Sequence, residues 1–366
     1  MRLKPSLQIR RELLRYILEG RFEADKPLPT IKELADSFNV STKTVQKAVH
    51  ALTAEGVIVA KRGVGLFVRS VNPQAGRIKR VGMLYPWNNP HYLENKPWPG
   101  ETIVPFREKL EAAGLKLQPY PLAHLDRITL LESLIKLKLG ALVLFEVDSD
   151  VIVSECRELR LPMVSLDYDA YRHGIPSAIF DNVFGVFQAT QHLIGLGHRH
   201  IAFMRPLLST PLNRGRILDW VEDERLKGYR VAMQHAGLEP LIEAFEHKDP
   251  EVFQPARALL TRRPEITALV CIGDWNAQQL AHEVLAMGLR IPEDVSIFGF
   301  GNGQTEFAPG KRISSVRLDM AGMAEAGARL LLDALKPNPP LPTREVVATS
   351  LVHYDSVAPV RAEAKR

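Results

Sequence analysis

From residue 81 onward one pattern recurs: a short continuous apolar run, then a stretch with helical periodicity. The runs fall at 81–85, 117–120, 141–145, 163–166, 201–204, 268–272 and 295–300. Apolar strands of this kind, separated by helices, must be covered on both faces, which is the condition of parallel sheets in an α/β layered fold. A ligand of such a sheet lodges outside the carboxyl ends of the strands. The repeat and its flanks are roughly 280 residues, more than one core comfortably serves, so two lobes with a cleft between them are expected.

The segment before the repeat is of another kind. Residues 1–80 hold 16 Lys and Arg against 7 Asp and Glu, and the rest of the chain holds 31 against 35. The net charge of +5 over 366 residues therefore sits at one end. A basic module on a near-neutral body is the footprint of a polyanion binder. Both cysteines, Cys156 and Cys271, lie inside apolar runs, which suggests neither a disulfide framework nor a cysteine metal site. No window approaches the roughly 18 uninterrupted apolar residues of a bilayer span, and the N-terminus lacks a signal-peptide core, so a cytoplasmic setting is expected.

Within the basic module, Leu13, Leu14, Ile17 and Leu18 put one apolar stripe on a first helix over 7–19, with Gly20 able to end it. After Pro27 and Pro29, Thr30 and Glu33 have capping-box spacing ahead of Ile31, Leu34, Ala35 and Phe38, the apolar face of a short second helix. Asn39-Val40 makes a turn. Ser41 then caps a third helix whose core face is Val45, Ala48, Val49 and Leu52. Its other face carries Thr42, Lys43, Gln46, Lys47 and His50 with no carboxylate among them, donors and cations suited to base edges and phosphates in a major groove. Two β-type runs, 57–60 and 66–68, flank Lys61-Arg62-Gly63, the cationic tip of a wing. The expected DNA-facing set is Thr30, Lys32, Ser41, Thr42, Lys43, Thr44, Gln46, Lys47, His50, Lys61, Arg62 and Gly63. A small helical bundle with a solvated basic face is the competing reading, and the order helix, turn, helix, basic wing argues against it.

LPTIKELADSFNVSTKTVQKAVHALTAEGVI and RGVGLFV, quoted as they stand, resemble the GntR family of winged-helix regulators over about residues 5–69. Two recognition-helix positions often held by arginine in that family are Thr42 and Gln46 here, so the family's operator sequence does not carry over. Residues 70–80 are polar and broken by Pro73 and Gly76, a linker composition. Beyond them, DNVFGVFQATQHLIGLGHRHIAFM, ERLKGYRVAMQHAGL, ITALVCIGDWNAQQLAHEVLAMGLRIPEDVSIFGFG and ISSVRLDMAGMAEAGARLLLDAL, in that order, resemble the sensor domain of the LacI/GalR family over about 80–356. That resemblance implies the fold of periplasmic sugar-binding proteins with three crossovers, one lobe combining about 81–197 with 318–340 and the other 198–317 with 341–356. The fusion of the two resembles arabinose-responsive repressors.

The carboxyl-end rule places Trp87, Asn88 and Asn89 after the first strand, Glu146 and Asp148 after the third, and Asp167 and Asp169 after the fourth near a ligand. A sugar offers vicinal hydroxyls and apolar ring faces, which ask for forked polar partners and a flat ring such as Trp87 or Trp275. The resemblance adds Asp181 and Arg225 as hydroxyl-binding groups. It also exposes two departures: the usual aspartate after 295–300 is Gly301, followed by Asn302, and the asparagine common before Asp274 is Gly273. Either Asn302 or Asp274 substitutes, or a bulkier ligand uses the space the glycine leaves. The bland readings are a helix cap for Asp181, a surface ion pair for Arg225, core or dimer aromatics for Trp87 and Trp275, and a turn before Pro90 for Asn88 and Asn89.

Other function classes fare worse. There is no Walker-type glycine loop, GxSxG or HExxH motif, and no cofactor is implied. His198 and His200 offer two metal-type ligands without a third, and Asp148 and Asp150 share a common spacing. A transporter's solute-binding protein would explain the second part but not residues 1–69, and a sugar-acting enzyme with a regulatory head would show turnover. The expectation is a homodimeric regulator that places two recognition helices in successive major grooves of double-stranded operator DNA and is released by a small carbohydrate effector, with no membrane partner.

Overall fold

A computed structural model describes residues 5–18, 21–22, 26–54, 57–61, 63–68, 79–86, 97–122, 133–135, 137–207, 220–246, 254–301 and 304–360. Trp87, Asn88, Asn89, Arg62, Asn302, Gly20 and most of the linker expected at 70–80 lie outside these residues. The chain divides into two compact units, one of 1–90, 107–177 and 327–343 and one of 91–106, 178–326 and 344–366.

The N-terminal module is α1 (Pro5–Leu18), α2 (Ile31–Ser37), α3 (Thr42–Ala54) and the hairpin β1 (Ile58–Lys61) with β2 (Gly65–Val68). Thr30 caps α2 as its spacing foretold: the Glu33 amide donates to the Thr30 hydroxyl, and the Glu33 carboxylate accepts from the Thr30 amide at 2.7 Å. Asn39, in the left-handed region at φ 51, turns the chain into α3, a conformation asparagine tolerates better than most residues. Leu13, Leu14 and Ile17 of α1 meet Leu34, Val45, Val49 and Leu52 in one core, with Tyr16 stacked on Phe38 at its edge. The hairpin closes on this body through Leu28, whose amide donates to the Leu66 carbonyl, and through a bridge from Pro27 to Phe67.

The remainder runs β3 (Arg80–Tyr85), α4 (Pro97–Ala112), β4 (Lys116–Pro121), β5 (Ala141–Phe145), α5 (Asp150–Glu158), β6 (Met163–Leu166), β7 (Ser177–Phe180) and α6 (Asn182–Gly195), then β8 (Ile201–Leu207), α7 (Trp220–His235), β9 (Leu241–Glu246) and α8 (Pro255–Arg262). It continues through β10 (Ala268–Cys271), α9 (Asp274–Ala286), β11 (Ser296–Gly301), β12 (Glu306–Ala308), β13 (Lys311–Arg312), β14 (Ser314–Leu318), α10 (Met320–Ala334), β15 (Arg344–Val347) and β16 (Thr349–Val352). Two six-stranded sheets result, ordered β15–β7–β6–β5–β3–β4 and β16–β14–β11–β10–β8–β9. In the second, β9, β8, β10, β11 and β14 pair in parallel and β16 returns antiparallel. In each sheet the first strand lies between the second and the third, so the connections reverse direction there and open a crevice at the carboxyl ends. The anticipated parallel α/β architecture is present, with the continuous apolar runs buried: Leu142 to Leu144 and Ala202 to Met204 are fully enclosed.

The division of the chain differs from the expectation that the first lobe extends to 197. Residues 178–326 group together, so α6 belongs with α7 and the second sheet. Gly228 is the reason that α7 can come so close: a β-carbon there would run into the Val183 carbonyl of α6. Among the described residues no helix is long and apolar enough to cross a membrane. Both cysteines are buried free thiols, and burial pushes that of Cys156 up to about 12.

Candidate nucleic-acid interface and candidate ligand site

The two faces of α3 separate cleanly. Val45, Ala48, Val49 and Leu52 are buried, and Thr42, Lys43, Gln46, Lys47 and His50 are all exposed. A helix with one face locked in a core and the opposite face free of carboxylates can lay that face against a polyanion without moving. Ser41 caps α3 by accepting from the Thr44 amide at 3.2 Å, and the Ser41 and Thr44 hydroxyls share a hydrogen bond of 2.8 Å. The Thr30 hydroxyl likewise donates to Glu33, so Thr30 already has a structural use. Lys32, Lys61 and Gly63 are exposed, and the Lys61 ammonium sits 4.2 Å from the centre of the Phe67 ring.

In the second unit, the carboxyl ends of β10, β11 and β14 and the first turns of α6 and α9 bring several of the anticipated ligand residues together. Asp181 caps α6, accepting from the Phe184 amide at 3.0 Å, so the cap reading describes one of its carboxylate oxygens. Its buried neighbour Asn182 accepts from Arg225 Nε at 2.9 Å through Oδ1 and donates to the Phe180 carbonyl. Arg225 also donates to the Ile272 carbonyl at 2.6 Å and lies flat on the Phe300 ring, 3.7 Å from its centre. It is a half-buried guanidinium with the Asn182 and Ile272 oxygens and an aromatic face around it.

Asp274, the first residue of α9, reaches the end of β11. The Ser315 hydroxyl donates to its Oδ1 at 2.6 Å, and the carboxylate lies over Gly299 and Gly301. A carboxylate from the first residue of α9 thus lies close beside Gly301. Trp275 beside it is 52% exposed, so its ring is not a core filler. Phe300, Asn182 and Ser315 were not singled out from the sequence: Phe300 reads as one more strand residue, and only the fold shows that its ring faces Arg225.

In the first unit, Asp148 follows β5 by three residues, its amide bonded to the Glu146 carbonyl. Glu146 and Asp167 occupy the left-handed region at φ 52 and 56, directly after adjacent parallel strands. Backbone strain of this kind concentrates where a loop is shaped for binding. Asp150 is engaged by Tyr168, Arg172 and His173; burial opposes its ionisation, but hydrogen bonds from His173, Arg172 and Tyr168 hold its carboxyl down to about 2. His198 is buried, with Nδ1 paired to the Thr267 hydroxyl at 2.8 Å and Nε2 to the Ala358 carbonyl at 3.0 Å, which ties the chain's last described residues to the second sheet. His200 is exposed at the entry to β8.

Comparison with known proteins agrees with this geometry. Residues 5–68 match the bacterial regulatory proteins of the gntR family, and residues 190–357 match the periplasmic binding protein-like domain. The chain is 27% identical over 353 residues, 91% of its length and 92% of the relative's, to the arabinose metabolism transcriptional repressor of Geobacillus stearothermophilus. It is 32% identical over 180 residues to the transcriptional regulator CelR of Thermobifida fusca, a match that covers 48% of this chain and half of that one. A solved CelR–cellobiose complex superimposes with a TM-score of 0.65 at 22% identity, over 90% of this chain and all of the other.

Proposed function

We propose that this chain, which joins a gntR-family winged helix to a periplasmic binding protein-like domain, is a ligand-responsive DNA-binding transcriptional repressor whose operator affinity is set by a small carbohydrate. The observation that carries the reading is α3, whose exposed face is wholly cationic and hydrogen-bonding while its opposite face is locked in the module's core. The Geobacillus repressor supports it by aligning over about nine-tenths of each chain, a span that reaches into both family matches. Lys43 and Lys47 neutralise phosphates, Gln46 and Thr42 read base edges, and Lys61 and Arg62 extend contact along the backbone. Two such heads on a homodimer address two half-sites about one helical turn apart.

The ligand half of the reading rests on Asp181, Arg225, Asp274 and Trp275. A planar guanidinium, two carboxylates and an exposed indole supply the forked acceptors and donors and the flat apolar face that vicinal hydroxyls and a sugar ring require. Asp148, Trp87, Asn88, Asn89 and Asn302 are further residues proposed for ligand contact on the carboxyl-end rule and the family resemblance. Effector and operator act on each other only through a difference in affinity between two conformations, so a sugar that releases DNA must bind the released form more tightly. The name of the Geobacillus relative makes arabinose the first sugar to test. The experiment is selection of operator fragments from genomic DNA, followed by titration of the complex with arabinose and a panel of other sugars and sugar phosphates. Release by one sugar, without its turnover, is the expected result. Turnover of the sugar, or binding of sugar by a chain with no affinity for any fragment, would replace the reading by an enzyme or a solute-binding protein.

A further inference from the structure

We propose that Val64, at the tip of the wing, selects A·T base pairs in the minor groove beside each half-site. The inference rests on the reading of the N-terminal module as a DNA reader and adds a specificity residue that the cationic pattern does not contain. A lone exposed valine is ordinary on a protein surface. What sets this one apart is its place. It is 64% exposed at the end of a two-stranded hairpin, between Gly63 at φ 76 and Gly65 at φ 134, so it is flanked by positions with no side chain.

The described residues of the tip are also tied down by hydrogen bonds. The Val64 amide donates to the Lys61 carbonyl at 3.0 Å, Lys61 pairs with Gly65 across the hairpin, and Phe67 and Leu66 tie β2 to Pro27 and Leu28 of the helical body. The Lys61 ammonium lies against the Phe67 ring, back from the tip, and is placed for a phosphate. A β-branched side chain adds few rotamers of its own. The wing therefore presents an exposed apolar side chain near Lys61, and valine offers a phosphate no hydrogen bond.

The chemistry of the minor groove turns that knob into a reader. A·T and T·A pairs show only the adenine N3 and thymine O2 acceptors, whereas G·C pairs add the guanine N2 amino group at the centre of the groove. An apolar tip pressed to the floor excludes water from that amino group and leaves its proton unpaired, which costs binding. Over A·T the central position is the adenine C2–H, which has no hydrogen bond to lose, and the flanking acceptors are common to both kinds of pair.

The test uses full-length protein, wild type and Val64→Ser, on a site taken from a random duplex library. Equilibrium competition then compares that site carrying A·T, G·C or inosine·C at the base pairs facing the wing. Inosine·C resembles A·T in the minor groove and G·C in the major groove. For the wild type, A·T and inosine·C should bind alike and G·C about tenfold more weakly, the usual size of a single mismatch. Val64→Ser should shrink that difference to about twofold and leave the preferences under α3 unchanged. Equal binding of G·C, inosine·C behaving as G·C, or discrimination that survives Val64→Ser would each overturn the inference. Failure to recover any duplex would instead overturn the DNA-reader reading beneath it.

Discussion

The carboxylate of Asp274 stands where a side chain on Gly301 would stand: a β-carbon on that glycine would come within 2.9 Å of Oδ2. The carboxylate that lies against the end of β11 comes from the start of α9. Gly299 and Gly301 together make the room, and Ser315 holds Oδ1 from β14.

Gly299→Ala should act at a distance on ligand binding, because the added methyl collides with the Asp274 carboxylate. Hydrogen bonds to a charged group contribute about 1.5–3 kcal/mol, so displacing the carboxylate should weaken effector affinity by about ten- to hundredfold. Calorimetric titration of the sugar identified by DNA release checks this. DNA affinity without effector should be unchanged, and Asp274→Asn should reproduce the loss with the glycine intact.

Arg225 should prove both structural and functional. Its removal leaves the Asn182 Oδ1 and Ile272 carbonyl without a donor and uncovers Phe300, a loss of about 1–3 kcal/mol per buried unsatisfied group. Urea unfolding of Arg225→Ala should show reduced stability, while Arg225→Lys should recover part of it. Neither should restore effector response, since an ammonium cannot reproduce a planar fork lying on a ring. A fully responsive Arg225→Lys would mean that only charge matters there.

Stability should fall on mild acidification. His192 is held below its ordinary 6.5 by burial and then by the nearby His353 and His198, and His198 is held below it by burial and Arg199. Above 6.5 neither the folded nor the unfolded chain binds these protons. Below it the unfolded chain takes up protons that the folded chain resists, so stability declines from there until the lowered folded values are passed. The His192 ring lies 4.3 Å from that of His353, centre to centre, and packs edge-on to Phe298. Melting temperatures measured from about pH 7.5 to about pH 5 should drop, and His192→Phe should make that drop shallower. A drop of unchanged depth in the variant would place the acid sensitivity elsewhere.

Where local chemistry decides, the sequence was informative. Thr30 and Glu33 form the capping box their spacing announces, Asn39 makes the turn, and the stripe of Val45, Ala48, Val49 and Leu52 fixes which face of α3 is free. The apolar runs became strands because nothing but burial suits them. What the sequence hid is tertiary. Periodicity assigns 182–195 to a helix but not to a sheet; the assignment to the second unit depends on the close approach of α6 to Gly228, some forty residues on. Phe300 and Ser315 look like ordinary strand residues until parallel pairing sets β11 and β14 side by side and α9 lays Asp274 across them. The Val64 side chain carries no charge or hydrogen-bonding group, so nothing in its chemistry alone marks it in a basic wing.

The account depends most on α3 lying against DNA phosphates, and the salt dependence of operator binding by wild type and Lys43→Ala/Lys47→Ala tests it most directly. Each neutralised phosphate contributes about 0.9 to the slope of log affinity against log salt, so the double variant should bind more weakly and lose a slope of about 1.8. An unchanged slope, or a wild-type chain with no affinity for any genomic fragment at low ionic strength, would contradict it.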